Sequence, residues 1–269
     1  MEWIKMTVAE KNGVCFSEAG SRYLLIQPGD ENDLADLQKQ TEEMERLSGG
    51  IPCTFCAFQV DNWFEDLSPW EALPVFGKTG FGSGANATLD FLIAELIPAL
   101  QERFGLGKEI PVFIGGYSLG GLFALWASAQ SDSFKAVAAA SPSVWIKDWI
   151  PFAKKHAPMA DAVYLSLGTQ EEHVKNQAIA RVGNCLRAQH SLLQEQIGAD
   201  NCTLFWEQGG HFNDNEGRLA RAFAWCIERL LSGRCRGYCS PKITLTTQTS
   251  SLLTVSATQR VSPSMKALG

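Results

Sequence analysis

The sequence predicts an α/β fold, a mostly parallel sheet with helices on both faces. Two observations carry this. Short apolar runs alternate with helix-spaced apolar patterns from residue 22 to residue 231, and a Gly-x-Ser-x-Gly turn sits where one such run gives way to a helix. Strands alternating with helices need crossover connections, which parallel pairing accommodates. A chain of 269 residues, 45% apolar and 19% charged, suits one domain with a deep core, and residues 1–231 are read as that domain.

The elements follow in order. Arg22-Tyr23-Leu24-Leu25-Ile26, with Pro28-Gly29 behind it, reads as a strand and a turn. Residues 33–47 space Leu34, Leu37, Met44 and Leu47 as a helix does, and Ser48-Gly49-Gly50 ends it. Residues 53–60 form an aromatic and β-branched run expected to be a buried strand. From 61 to 84 Trp, Pro and Gly accumulate without a period, marking a long loop of the kind that is often functional. A helix over 87–104 carries Leu89, Leu92, Ile93, Leu96 and Leu100, with a bend at Pro98. Strand and helix then repeat as 112–114 with 119–129, 136–140 with 144–152, 163–167 with 174–197, and 203–206 with 215–231. Residues 232–269, rich in Ser and Thr and lacking acids, are expected to be a flexible tail.

Charge narrows the function classes. Every Asp and Glu lies at or before Glu228, and five basic residues (Arg234, Arg236, Lys242, Arg260, Lys266) follow Leu231; without those five the net −6 becomes −11. An acidic body repels a polyphosphate backbone and gains little at an anionic membrane, so neither nucleic acid nor membrane is an expected partner. The N-terminus lacks the pattern of an export signal and no apolar run is long enough to span a bilayer, which predicts a cytoplasmic protein. The eight cysteines are then expected to be mostly reduced thiols.

Gly116-Tyr117-Ser118-Leu119-Gly120-Gly121 is the sharpest signal. A serine on a tight strand-to-helix turn projects its hydroxyl above the sheet beside a helix N-terminus, and the flanking glycines let strand and helix approach. A serine that merely caps a helix is the plainer reading, but the apolar runs on both sides favour a nucleophile. Ser83 in Gly82-Ser83-Gly84 follows no strand and is the weaker choice. A serine nucleophile needs a base. Four histidines are present, and His211, in Gly209-Gly210-His211 after the last strand, matches the serine, acid, histidine order of an α/β-hydrolase; His173, the main competitor, violates it. The orienting acid is expected in Gly168-Thr169-Gln170-Glu171-Glu172, at Glu171, with Glu172 as the adjacent alternative. The oxyanion hole is assigned to the amide of Leu119 and to that of Asn62 or Trp63. Trp70 and Trp145 are candidates to line a substrate pocket.

With Ser141-Pro142-Ser143-Val144-Trp145 added to these motifs, residues 51–231 resemble the putative-esterase family of α/β-hydrolases, the group of esterase D-like and enterochelin-esterase-like enzymes. The resemblance implies hydrolysis of a small-molecule carboxylic ester with no metal or organic cofactor. Two rivals remain: an acyltransferase using the same serine, and a non-catalytic binding member of the fold. Cys53-x-x-Cys56 and Cys235-x-x-x-Cys239 are not read as a zinc site, because residues three apart on a strand face opposite ways. The glycines of 78–84 fit no phosphate-loop pattern.

Overall fold

The computed structural model describes residues 2–29, 33–75 and 77–238. Eight strands make one sheet: β1 (Ile4–Val8), β2 (Lys11–Ser17), β3 (Tyr23–Pro28), β4 (Cys53–Phe58), β5 (Val112–Tyr117), β6 (Phe134–Ala140), β7 (Ala162–Gly168) and β8 (Cys202–Glu207). Their spatial order is β1-β2-β4-β3-β5-β6-β7-β8. β2 is antiparallel to both neighbours, and from β4 to β8 all pairs run parallel. Strands covered on both faces need apolar side chains on both, so β3, β4 and β7 are buried at every position. Edge strand β1 is alternately half-buried and exposed.

The long helices take opposite sides. α1 (Leu34–Ser48) and α9 (Asn215–Tyr238) close one face, packing Leu37, Met44, Leu219, Phe223 and Ile227 together. The other face carries α3 (Ala85–Phe91), α4 (Ile97–Phe104), α5 (Leu119–Gln130), α6 (Trp149–Lys155) and α8 (Val182–Ile197). Two short helices complete the set, α2 (Trp63–Asp66) and α7 (Gln177–Ala180). α5 is buried from Leu119 to Ser128, as a helix that is apolar all round must be. Cys53 and Cys56 fall in the core layers on opposite faces of the sheet, and the six cysteines whose side chains are described are free thiols.

Several expected boundaries move. The β1–β2 hairpin has no counterpart in the sequence reading, because its two-residue turn uses Ala9 and Glu10 at positive φ (46° and 65°) where the usual signal is Asn-Gly. The expected 87–104 helix holds a π-helical turn at Leu92–Leu96 just ahead of Pro98, which accommodates the residue that lacks an N–H. The helix expected at 144–152 begins only at Trp149, since residues 143–146 form turns and Asp148 adopts φ 65°. The one expected at 174–197 is broken before Val182, with Asn176 capping α7. α9 continues seven residues past Leu231, so the expected tail begins inside a helix, and its remainder, 239–269, lies outside the described residues.

Candidate active site

The turn after β5 places Ser118 at φ 57°, ψ −116°, a conformation that costs a non-glycine residue energy and persists only when its surroundings enforce it. They do. Ser118 N donates to Ala140 O (3.0 Å), and Ser118 O accepts from Ser143 N and Leu122 N (3.0 and 3.1 Å). A Cβ at Gly116 would collide with the Gly120 backbone, which is why the motif requires glycine at that place.

His211 sits on the loop between β8 and α9, and its Nε2 is 3.0 Å from Ser118 Oγ. Its Nδ1 is 2.7 Å from Glu171 Oε2. The structure thus brings Ser118, His211 and Glu171 into one row. Glu172 instead forms a two-point ion pair with Arg187 (2.8 Å at each contact), and His156 packs on Phe152. The loops bearing acid and base are docked on each other: Gln170 N donates to Gly209 O (3.0 Å), and a Cβ at Gly168 would strike that carbonyl.

Glu171 is only 3% exposed. Burial pushes its carboxyl up, yet the hydrogen bond and charge of His211 and donation by Ser141 Oγ and Gly168 N hold it below the ordinary range. It is therefore a carboxylate, which fixes His211 Nδ1 as a donor and leaves Nε2 free to accept from Ser118 Oγ–H. Tyr117 is pushed up to about 12, chiefly by burial, and its neutral hydroxyl donates to His211 O (2.7 Å).

The fully buried Arg218 lies behind the row. Sequence reading missed it, because an arginine early in a helix ordinarily reads as solvated surface. Its Nη1 donates to Glu171 Oε1 (2.8 Å), Ser141 Oγ (2.9 Å) and Tyr117 Oη (3.0 Å), and its Nη2 to Gly210 O (2.9 Å) and Gln208 O (3.2 Å).

Two expected contacts need correction. The Asn62 amide donates to Asp66 Oδ2 (2.9 Å) while its side chain caps α2, so it is not available as an oxyanion donor. Trp63 and Leu119, the first residues of α2 and α5, keep amides that their own helices leave unpaired. Trp70 lines neither hollow beside Ser118. Its Nε1 donates to Lys147 O (2.9 Å) and its ring packs on Trp149 and Phe152, tying the 61–84 loop to α6. Trp145 does face the site, in edge contact with Phe81.

Ser118 and His211 stand between two hollows. The first, about 470 Å³, has a mostly apolar wall that includes Phe64, Phe81, Trp145, Ile179 and Val182. The second, about 380 Å³, is more polar, with Gln27, Asp36, Gln40 and Glu216. A larger hollow of about 850 Å³ lies at the amino ends of the central strands, near Val112 and Lys135; open α/β sheets bind ligands at the carboxyl ends of the strands. Among the described residues no cluster of three or more His, Cys, Asp or Glu side chains could hold a metal ion, and no helix is long and apolar enough to cross a membrane.

Residues 71–211 match the family described as "Putative esterase". A siderophore triacetylfusarinine C esterase of Aspergillus fumigatus is 31% identical over 118 residues, 40% of this chain and 39% of that protein, so the match spans about two-fifths of the relative's length. Among solved structures, the siderophore hydrolase EstB from Aspergillus nidulans superposes with a TM-score of 0.64 at 19% identity, covering 84% of this chain and 94% of that one. An IroE-like serine hydrolase from Shewanella oneidensis gives 0.64 at 15% identity, over 84% and 80%. The enterobactin esterase FES from Shigella flexneri gives 0.58 at 14% identity, over 85% and 59%.

Proposed function

The chain is an α/β-hydrolase belonging to the putative-esterase family, and from that premise we propose that it cleaves a small-molecule carboxylic ester through an acyl-enzyme on Ser118, with His211 as base and Glu171 as its orienting acid. Ester hydrolysis is the activity of the family. The observation that carries the finer reading is the unbroken row from Ser118 Oγ to His211 to Glu171, at 3.0 and 2.7 Å.

The chemistry follows from the protons. Ser118 Oγ attacks the ester carbon while its proton passes to His211 Nε2, and the carbonyl oxygen becomes an oxyanion within reach of the Leu119 and Trp63 amides. His211 is then an imidazolium, stabilised by the Glu171 carboxylate. As the tetrahedral centre collapses, Nε2–H protonates the departing alcohol, leaving an ester on Ser118. Water gives a proton to Nε2 and attacks the same carbon, and the second collapse returns that proton to Ser118 and frees the acid.

The two hollows give the ester's two halves separate places, an apolar portion in the larger and a polar portion in the smaller. Among the described residues neither wall includes Lys or Arg, so a neutral or cationic ester suits the cleft better than an anionic one. The relatives named for siderophore esters point to an ester bond in a compound of that class, and triacetylfusarinine C is the first substrate to try.

Labelling with a fluorophosphonate probe tests the assignment. The wild type is expected to react and Ser118→Ala to lose all labelling, while His211→Gln lowers ester turnover by about a thousandfold or more. Undiminished labelling of Ser118→Ala overturns the serine mechanism.

A further inference from the structure

Building on the Ser118–His211–Glu171 reading, we propose that Arg218 is the positioning residue of the site: one guanidinium holds the segments of all three in register and, by offsetting part of the acid's charge, sets where the acid limb of the pH profile falls.

The first half follows from what the fork touches. Tyr117 precedes the nucleophile, Gly210 precedes the base, and Glu171 is the acid, and Arg218 donates to all three at 3.0, 2.9 and 2.8 Å. No other described side chain reaches all three segments through hydrogen bonds. Arg218 also occupies an unfavourable place, fully buried in the first turn of α9, where the helix dipole disfavours a cation. What compensates is the ion pair with Glu171 and the four further acceptors around its two terminal nitrogens.

The second half is charge arithmetic. The two oxygens of Glu171 are divided, Oε2 facing His211 and Oε1 facing Arg218. With carboxylate and guanidinium already paired, protonating the half-buried His211 leaves the three groups with a net positive charge. Without the guanidinium, the same proton neutralises the carboxylate and is held more tightly. The other groups near the ring do not change with residue 218. Tyr117 is a neutral phenol. Glu207 and Asp214 share Arg221, Glu172 pairs with Arg187, and Glu216 pairs with Lys39. Asp33 and Asp36 line the polar hollow that His211 also lines, and they too are the same in every variant compared.

The test measures kcat/KM against pH for the full chain with a neutral short-chain ester, normalised to sites titrated by a fluorophosphonate so that misfolded protein is not counted. Arg218→Lys keeps the charge and loses the fork: kcat per site is expected to fall by about ten- to a hundredfold, as misplacement of reacting groups does, with the acid limb unmoved. Arg218→Met loses both, and its acid limb is expected to move up by about one to three pH units. Should Arg218→Met not fold, Glu171→Gln is compared with Glu171→Gln/Arg218→Met, which buries no unpaired carboxylate; the limb of the double variant should lie above that of the single one. Superposable acid limbs in either comparison overturn the proposal and leave Arg218 a structural residue. Loss of probe labelling in the wild type, or its survival in Ser118→Ala, instead marks failure of the serine reading itself.

Discussion

Glu171 and Glu172 are adjacent in sequence and separated in role by their surroundings. Glu171 is buried, with one oxygen on His211 and the other on Gly168 N, Ser141 Oγ and Arg218, whereas Glu172 turns outward to Arg187. Replacing Glu171 by Gln keeps the shape but removes the charge that stabilises the imidazolium, and an amide can present its NH2 to Nδ1 and so favour the wrong tautomer. The expected loss in kcat is about 10³- to 10⁴-fold, as for the equivalent change in other triads. Glu172→Gln, which breaks one half-exposed pair, should leave turnover within a factor of about two. Steady-state kinetics of both variants decide the matter; equal losses would mean the acid had been misassigned. At this scale Ser118 was legible as the candidate nucleophile because its turn demands glycines at fixed offsets, and His211 as the candidate base because chain order constrains it. The choice of Glu171 over Glu172 rested on its place in the loop alone, since sequence does not show which way a short 3₁₀ turn faces. Arg218 was not legible, because three of the four segments its partners come from are distant in sequence.

Among the elements, one of the two four-residue helices has the largest consequence. α2 is four residues long and stands on Asn62, whose Oδ1 accepts from Phe64 N and Glu65 N (3.2 Å each). That cap fixes the start of the helix at Trp63, which lines the hollow that also exposes Ser118. Asn62→Ala should cost about 1 kcal/mol of stability, the usual effect of deleting a cap. If Trp63 supplies the second oxyanion donor, kcat should fall substantially with KM little changed, since complete loss of such a donor costs about 10²- to 10³-fold. An unaltered kcat in a variant with the expected drop in melting temperature would remove Trp63 from the oxyanion hole. The sequence marked this segment as a loop with function but misjudged its parts. A cap and an oxyanion donor use the same backbone groups, and propensity cannot say which amide is already occupied. Trp70 misled for a related reason: an indole suits a substrate pocket and a packing contact equally well, and here its N–H found Lys147 O. The β1–β2 hairpin was hidden because pairing with β4 overrides the poor turn chemistry of Ala9 and Glu10.

At the level of the molecule, the alternation of strand and helix was enough to specify a parallel sheet with its reactive edge at the carboxyl ends of the strands. Where the substrate's apolar part goes was not, because the wall of the apolar hollow is assembled from the 61–84 loop, the turn after β6 and the start of α8. Trp145 is the bulkiest side chain in that wall from the turn after β6, 7% exposed and set against Phe81. Its size should therefore limit how long an apolar chain the hollow admits. Trp145→Leu enlarges the space without introducing a polar group, and each methylene newly accommodated is worth about 0.8 kcal/mol, or roughly fourfold in kcat/KM. The expected outcome is a shift of the chain-length optimum toward longer esters by two or more carbons, with short-ester turnover per titrated site altered little, because Glu171 and the His211 backbone are held by Ser141, Gly168, Arg218 and Tyr117. Profiles of kcat/KM against chain length for both proteins check this. An optimum that stays fixed while activity falls evenly would place the apolar part of the substrate elsewhere, in the polar hollow or outside the cleft.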